Sequence, residues 1–492
     1  MVTFSFRNNR LVTFLLVTIL LSGCAGREAL APAPFGPIPN EAQMAWQQME
    51  FNAFVHFNMN TFSDKEWGFG DEKPEMFNPT ALDCRQWASV CKEAGMKGII
   101  LTAKHHDGFC LWPSAFTEHS VKNSPWKNGT GDVVRELADA CRENGLKMGV
   151  YLSPWDRNHA DYGKPEYLDY FRNQLKELLT GYGDIFEVWF DGANGGTGWY
   201  GGANEDRKVD RQNYYDWSGT YPIVENLQPN AVIFSDAGPG VRWVGNEEGF
   251  AGETNWSTLR RNEFYPGSPN YKELTSGHED GTHWVPAECD VSIRPGWYYH
   301  PAEDEKVKTL SRLLDIYYHS VERNGLLLLN LPVDKRGLVH EADARQLKRL
   351  GEAIRADFSN DLAAGKIIDA SNERGKNFNA KHVLDGNPET YWATGDSILM
   401  ASVEIDFGKP TSFNRLLLQE YIRLGQRVED FKVFAFEAGK WEPLTAGTTV
   451  GYKRILRFEN TQTNKLKIEF TAKAPPCISN IGVFEAQDWV DE

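Results

Sequence analysis

The stretch Ile185-Phe186-Glu187-Val188-Trp189-Phe190-Asp191-Gly192 is an apolar run of strand length that ends in a carboxylate and a glycine. Similar runs recur at Phe51–Phe57, Gly98–Ala103, Lys147–Leu152, Ala231–Phe234 and Leu326–Leu331, and each reads as a buried strand. Between them, apolar residues fall at helical spacing. Asn78-Pro79-Thr80 opens one such segment, with Trp87, Val90, Cys91 and Ala94 on a single face. Another carries Val133, Val134, Leu137, Ala138 and Cys141; Asp132 can cap its start and Asn144-Gly145 can stop it. Pro165 opens a third, with Leu168, Phe171, Leu175 and Leu178, and Val307–Val321 is a fourth, ended by Asn324-Gly325. Strands apolar on both faces, alternating with amphipathic helices, predict a parallel sheet covered on both sides. Over residues 48–357 this is an α/β fold, a (β/α)8-like TIM barrel. An open doubly wound sheet is the rival, but no GxGxxG follows the first strand. Residues 255–300 are irregular and leave the strand count open.

The pattern changes at about residue 367. Ser402–Phe407, Arg415–Gln419, Phe431–Glu437, Arg454–Phe458 and Lys465–Phe470 alternate apolar and polar residues between turns. Residues 367–492 therefore read as a C-terminal β-sandwich. The helix around Glu341–Phe358 closes the barrel and leads into it.

The chain of 492 residues is too long for one core of ordinary size. Its net charge of −16 excludes a nucleic-acid partner, whose phosphates it would repel. The 16 tryptophans suit either large cores or stacking on the apolar faces of sugars. Residues 1–24 read as a lipoprotein signal peptide: Arg7 and Arg10 precede the short apolar run Leu11–Leu21. Leu21-Ser22-Gly23-Cys24 looks like a bacterial lipobox, with Cys24 as the lipidated residue. Residues 25–47, rich in Ala, Pro and Gly at their start, read as a tether. The expected product is exported and lipid-anchored, in the periplasm or on the outer surface of a Gram-negative-type bacterium. Cys84, Cys91, Cys110, Cys141, Cys289 and Cys477 show neither a zinc pattern nor a disulfide framework.

Chemistry-bearing residues cluster just after strand ends, where a barrel keeps its active site. Asp191 is one; the alternative is a cap on the following loop. Lys104-His105-His106-Asp107-Gly108-Phe109 follows the second strand, and His56 adds a third imidazole from the first. These histidines suit metal ligation, sugar hydrogen bonding or core packing. Neighbours on a strand face opposite ways, so both His105 and His106 reach one pocket only where the chain is already turning. A glycosidase needs a second carboxyl group. Glu247 and Glu248, in Arg242-Trp243-Val244-Gly245-Asn246-Glu247-Glu248-Gly249, are candidates, and so is Glu288 in Trp284-Val285-Pro286-Ala287-Glu288-Cys289-Asp290.

Taken together, His56, Glu66-Trp67, Lys104–Phe109, Tyr151 and Trp189-Phe190-Asp191-Gly192 resemble glycoside hydrolase family 29, the α-L-fucosidases. The resemblance implies that Asp191 is the nucleophile of a retaining exo-enzyme, that His56, His105 and His106 bind fucose hydroxyls, and that catalysis needs no metal or other cofactor. Arg242–Gly249 and Trp284–His300 resemble the subfamily acting on α-1,3/1,4-linked fucose. By that likeness Glu247 is the general acid/base, Trp297 packs on the sugar's methyl side, and Arg242 sits in the pocket near the acid. Trp67, Trp189 and Trp297 supply an apolar wall; Glu66 and the histidines supply polar contacts. The C-terminal part resembles a discoidin-like, factor 5/8 type C domain through Asp385-Gly386-Asn387-Pro388-Glu389-Thr390-Tyr391-Trp392. Such turns often hold a structural Ca²⁺, and many such domains bind sugars. Fucosylated oligosaccharides or glycoconjugates are the expected partners. A catalytically inactive glycan-binding surface lipoprotein and a metal-dependent barrel hydrolase are the competing functions.

Overall fold

The structure is a computed structural model that describes residues 1–3 and 29–491. Residues 4–24 of the expected leader, Cys24 included, lie outside the described residues.

Eight parallel strands close a barrel: β1 (Phe51–His56), β2 (Gly98–Lys104), β3 (Lys147–Leu152), β4 (Ile185–Trp189), β5 (Val232–Ser235), β6 (Val241–Trp243), β7 (Ala287–Ser292) and β8 (Gly325–Pro332). Each pairs with its neighbours in sequence, and β8 closes on β1 with Phe51 beside Leu327. Side chains alternate between the barrel interior and the surrounding helices. On β1, Phe51, Ala53 and Val55 pack outward, whereas Phe54 belongs to the inner cluster with Tyr151, Trp189, Phe234 and Leu328.

The outer layer holds helices Cys84–Ala94, Val133–Asn144, Tyr167–Gly181, Trp217–Leu227, Leu310–Ser320 and Glu341–Asp357. Asp132 caps the second of these, accepting a hydrogen bond from the Arg135 amide at 2.8 Å. Gly145 ends it at φ 71°, a left-handed conformation that glycine adopts without a Cβ clash. Its buried Val133, Val134 and Leu137 each contribute about 1.5–3 kcal/mol by leaving water. No helix separates β5 from β6; only residues 236–240 connect them.

The segment read as a tether is folded from residue 29 onward. Asn40 and Gln43 form a capping box for helix α1 (Glu41–Gln47), which buries Met44 and Trp46. Gln43 donates to the carbonyls of Gly240 and Trp284, both at 2.7 Å. Helix α1 thus plugs the N-terminal mouth of the barrel. Upstream, the Phe35 amide bonds the Leu424 carbonyl at 2.9 Å and Arg427 bonds Ala33, so this stretch lies along the C-terminal domain. Proline and alanine suggested a linker, and a two-turn helix is too short to show its periodicity.

The C-terminal domain is an antiparallel seven-stranded sheet folded around Trp392, Val403, Phe413, Leu416, Phe431 and Ile468. Two pairs of expected strands are continuous: Met400–Glu420 and Arg454–Ala472 each run through a β-bulge. Tyr452 bonds Glu50, and its amide bonds Asn324 at 2.8 Å, joining this domain to the barrel. All six cysteines of the described body are buried and free.

Candidate active site

A cavity of about 360 Å³ opens at the C-terminal ends of the barrel strands. His56, Glu66, Trp67, His105, His106, Tyr151, Trp189, Asp191, Glu247 and Trp297 all line it.

Asp191 stands just past the end of β4. Its Oδ1 accepts the Ala193 amide at 2.7 Å and its Oδ2 accepts the Tyr151 hydroxyl at 2.9 Å. Its side chain is 24% exposed, and that opening is the cavity. Enclosure raises its carboxyl above the ordinary aspartate value, and the two hydrogen bonds oppose the rise. Gly192 is required beside it: a Cβ there would meet the Asp236 carboxylate at 2.3 Å.

The histidine pair shares one pocket because β2 ends at Lys104. A register shift between Thr102 and Lys104 turns the chain, and the two imidazoles follow with centroids 4.1 Å apart. Lys104 itself is sent outward to Asp156 at 3.0 Å and Gln174 at 3.0 Å. The Ser153 hydroxyl donates to the Trp155 carbonyl, so its oxygen accepts Nδ1–H of His106 at 2.7 Å. That leaves the Nε2 lone pair of His106 facing Asp191 Oδ2 at 3.8 Å. Two acceptors with no proton between them make a seat for a hydroxyl donor.

Asn330 donates to Ser292 and to the Trp297 carbonyl, so its oxygen accepts Nδ1–H of His56 at 2.7 Å. His56 then also presents Nε2 as an acceptor. Burial lowers the pKa of His56 and of His106 to about 3 and pushes His105 well down, so all three are neutral at pH 7.

Glu247 reaches over the cavity from the loop after β6. Trp297 Nε1 donates to its Oε2 at 3.2 Å. Enclosure raises its pKa, the charges of Asp191 and Glu66 add to this, and the Trp297 bond opposes it. Two carboxyl groups thus share one pocket, each raised by enclosure and each opposed by the hydrogen bonds it accepts. Glu66 accepts the amides of Trp297 and Tyr298 and bonds His300, so it also pins the loop that carries Trp297. Trp67 is 52% exposed at the rim, edge-on to His106 and Trp155.

Arg242 is a correction. It points out of the barrel, fully buried, and bonds the carbonyls of Leu274, Val285 and Trp256 and the side chain of Asn255. As the central residue of a three-residue strand it faces opposite to Val241 and Trp243. Glu288 is likewise not at the cavity: it lies inside the barrel beneath Trp189, whose Nε1 donates to it at 2.8 Å. Glu247 and Glu248 are both exposed, but only Glu247 lines the cavity.

Two carboxyl groups that line the cavity were given no role by the sequence: Asp236 and Asp290. Asp236 accepts the Gly267 amide at 2.7 Å and is pushed up to about 7 by burial, with the Asp191 charge adding to it. Asp290 accepts Trp243 Nε1 at 2.7 Å and is raised well above its ordinary value by burial and by Glu247. The period-two series Glu288, Asp290, Ser292 was the available signal.

The nitrogens of His105 and His106 and an oxygen of Asp191 lie within 4.8 Å of one another, which is what the metal-hydrolase reading needs. Similarity decides between that reading and sugar chemistry. Residues 37–357 match the Alpha-L-fucosidase family model, and residues 367–482 match the F5/8 type C domain. The chain is 45% identical to alpha-L-fucosidase 1 of Arabidopsis thaliana over 464 residues, covering 92% of this chain and 88% of that one. A glycoside hydrolase 29 family member from an unknown rumen bacterium is 50% identical, with TM-score 0.82 over 94% of this chain and 79% of that one. A Ruminococcus gnavus GH29 fucosidase solved in complex with fucose is 34% identical, with TM-score 0.85 over 94% and 97% of the two chains. Such fucosidases are cofactor-independent glycoside hydrolases. With an aspartate at a strand end, paired carboxyls and neutral histidines in one cavity, and with these likenesses, the chain belongs to the glycoside hydrolase family 29 α-L-fucosidases, with a factor 5/8 type C domain at its C-terminal end.

Proposed function

We propose that the chain is a retaining exo-α-L-fucosidase that removes terminal α-1,3/1,4-linked L-fucose, with Asp191 as nucleophile and Glu247 as acid/base. The observation that carries this reading is the placement of both carboxyls on one closed-ended cavity, Asp191 held by Tyr151 and Ala193 and Glu247 raised partly by the charge of Asp191. Asp191 attacks the anomeric carbon while Glu247 protonates the departing oxygen; Glu247 then deprotonates the water that cleaves the fucosyl-enzyme. A productive pair stands about 5–5.5 Å apart when substrate is bound. The acceptor nitrogens of His56 and His106 take sugar hydroxyls as donors. Trp67, Trp189 and Trp297 face the deoxy edge, and unpaired polar groups would penalise sugars lacking matching hydroxyls.

The linkage preference is supported by the segments Arg242–Gly249 and Trp284–His300. Hydrolysis of Lewis-type and 2'-fucosyl oligosaccharides side by side, with Asp191→Ala as control, tests it. Faster release from the 2'-fucosyl substrate would overturn the linkage.

In the C-terminal domain, Asp385 accepts Thr390 Oγ1 at 2.8 Å, and that hydroxyl also lies 3.0 Å from the Asn387 carbonyl. These three oxygens suit a hard cation and would hold a structural Ca²⁺; an unchanged melting temperature on chelation would exclude it. The pattern Leu21-Ser22-Gly23-Cys24 supports acylation of Cys24 and an exported, membrane-tethered enzyme acting on fucosylated glycans. Loss of membrane association in Cys24→Ala tests this.

A further inference from the structure

Glu187 on β4 and Glu288 on β7 are both fully buried in the barrel interior, and their side chains come close enough to interact. Trp46 Nε1, from helix α1, donates to Glu187 Oε2 at 2.8 Å. Trp189 Nε1 donates to Glu288 Oε1, also at 2.8 Å. The other two oxygens, Glu187 Oε1 and Glu288 Oε2, accept no N–H or O–H from the described residues. Two carboxylates with one indole donor each would be two anions in contact in an apolar interior, which is prohibitive. One proton between the orphaned oxygens satisfies both and completes an unbroken chain, Trp46 to Glu187 to Glu288 to Trp189.

We propose that Glu187 and Glu288 share one proton and act together as positioning residues for Trp189, tying the fucose-pocket wall to the helix that plugs the barrel's far end. Trp189 lies flat on Phe234, with centroids 3.9 Å apart, and against Tyr151 at 5.2 Å. Tyr151 in turn bonds Asp191. A tilt of Trp189 would therefore move both the apolar wall and the nucleophile's donor. The inference rests on the reading of this cavity as the fucose site.

The pair's surroundings are apolar: Met49, Phe54, Ile100, Val232, Phe234, Val241, Leu326 and Leu328 from the plug and the other strands. The titratable neighbours are Asp290 and Cys289 on β7, both raised partly by the Glu288 charge, and Tyr151 on β3. Burial raises both glutamates; the charge of Glu187 adds to the rise of Glu288, whereas the bonds from Trp46 and Glu288 oppose the rise of Glu187. A raised folded value means that the stabilisation is complete below the ordinary glutamate range and is lost as pH rises through the folded value.

Three variants test this: Glu187→Gln, Glu288→Gln and the double. A single glutamine mimics the protonated partner, with its carbonyl toward the indole and its amide toward the remaining carboxylate. In the native protein the melting temperature should fall on the alkaline side, and the inhibition constant of free L-fucose should rise about tenfold there, the worth of one buried hydrogen bond. Each single variant should fold at pH 7 and lose this alkaline dependence, having no shared proton to release. The double variant sets amide against amide and should melt lower than the sum of the singles predicts. Failure of both singles to fold, an unchanged alkaline limb in them, or an additive double would each overturn the proposal. Were the native protein inert on fucosides, the fucosidase reading would fall while the melting-temperature comparison still decided the pair.

Discussion

The hydroxyl of Tyr151 lies 2.9 Å from Oδ2 of Asp191, donating to the oxygen that faces the cavity. Strand β3 thereby fixes one oxygen of the carboxylate at the end of β4 while the Ala193 amide holds the other, the orientation that the proposed nucleophile needs.

Tyr151→Phe keeps the ring stack on Trp189 and removes this one donor. We expect kcat to fall about 10–100-fold through misplacement of the nucleophile, with KM changed less. The Tyr151 bond lowers the Asp191 pKa, so its loss raises it further. The acidic limb of kcat/KM should move to higher pH; an unmoved limb would dissociate Tyr151 from the nucleophile.

For Glu247→Ala, turnover of natural glycans should fall about 10²–10⁴-fold, the usual worth of an acid/base group. Aryl fucosides with good leaving groups should suffer much less in the fucosylation step. Parallel kinetics on the two substrate types will show it. If Glu248→Ala gives that pattern, the neighbouring glutamate is the acid.

Trp297→Phe separates two duties of one side chain. The apolar wall survives in part, but the 3.2 Å bond to Glu247 does not. That bond lowers the Glu247 pKa, so the alkaline limb should move upward in pH while KM rises. A fixed alkaline limb with a raised KM would mean that Trp297 only packs.

Arg242→Met should cost about 2–4 kcal/mol of stability by orphaning buried carbonyls at Leu274, Val285 and Trp256. At a temperature where the variant stays folded, kcat/KM should remain near native. A large kinetic loss in fully folded Arg242→Met would return this residue to the pocket.

The barrel was legible wherever its strands are apolar on both faces. Lys147–Leu152 matches residue for residue, and the stops at Asn144-Gly145 and Asn324-Gly325 fall where left-handed residues stand. The strands Val241–Trp243 and Ala287–Ser292 were invisible because their inner faces carry site or buried-pair residues and the first holds a buried arginine. Polar function erases the hydrophobic signal that marks a strand. The site was legible at Asp191 and the histidines because each follows a readable strand. Asp236 and Asp290 were not, since nothing local distinguishes an inward aspartate from a solvated one. Arg242 was misplaced because strand parity, not proximity to Glu247, decides which way a side chain points.

Azide rescue of Asp191→Gly tests the central claim most directly. Without the carboxylate, turnover should fall by a factor on the order of 10⁴ or more. Added azide should restore it, because the small anion fits the vacated space and attacks the same face of the anomeric carbon. The product should be a fucosyl azide of inverted configuration. Turnover near native in the variant without azide, or release of fucose with no azide adduct formed, would contradict Asp191 as the nucleophile.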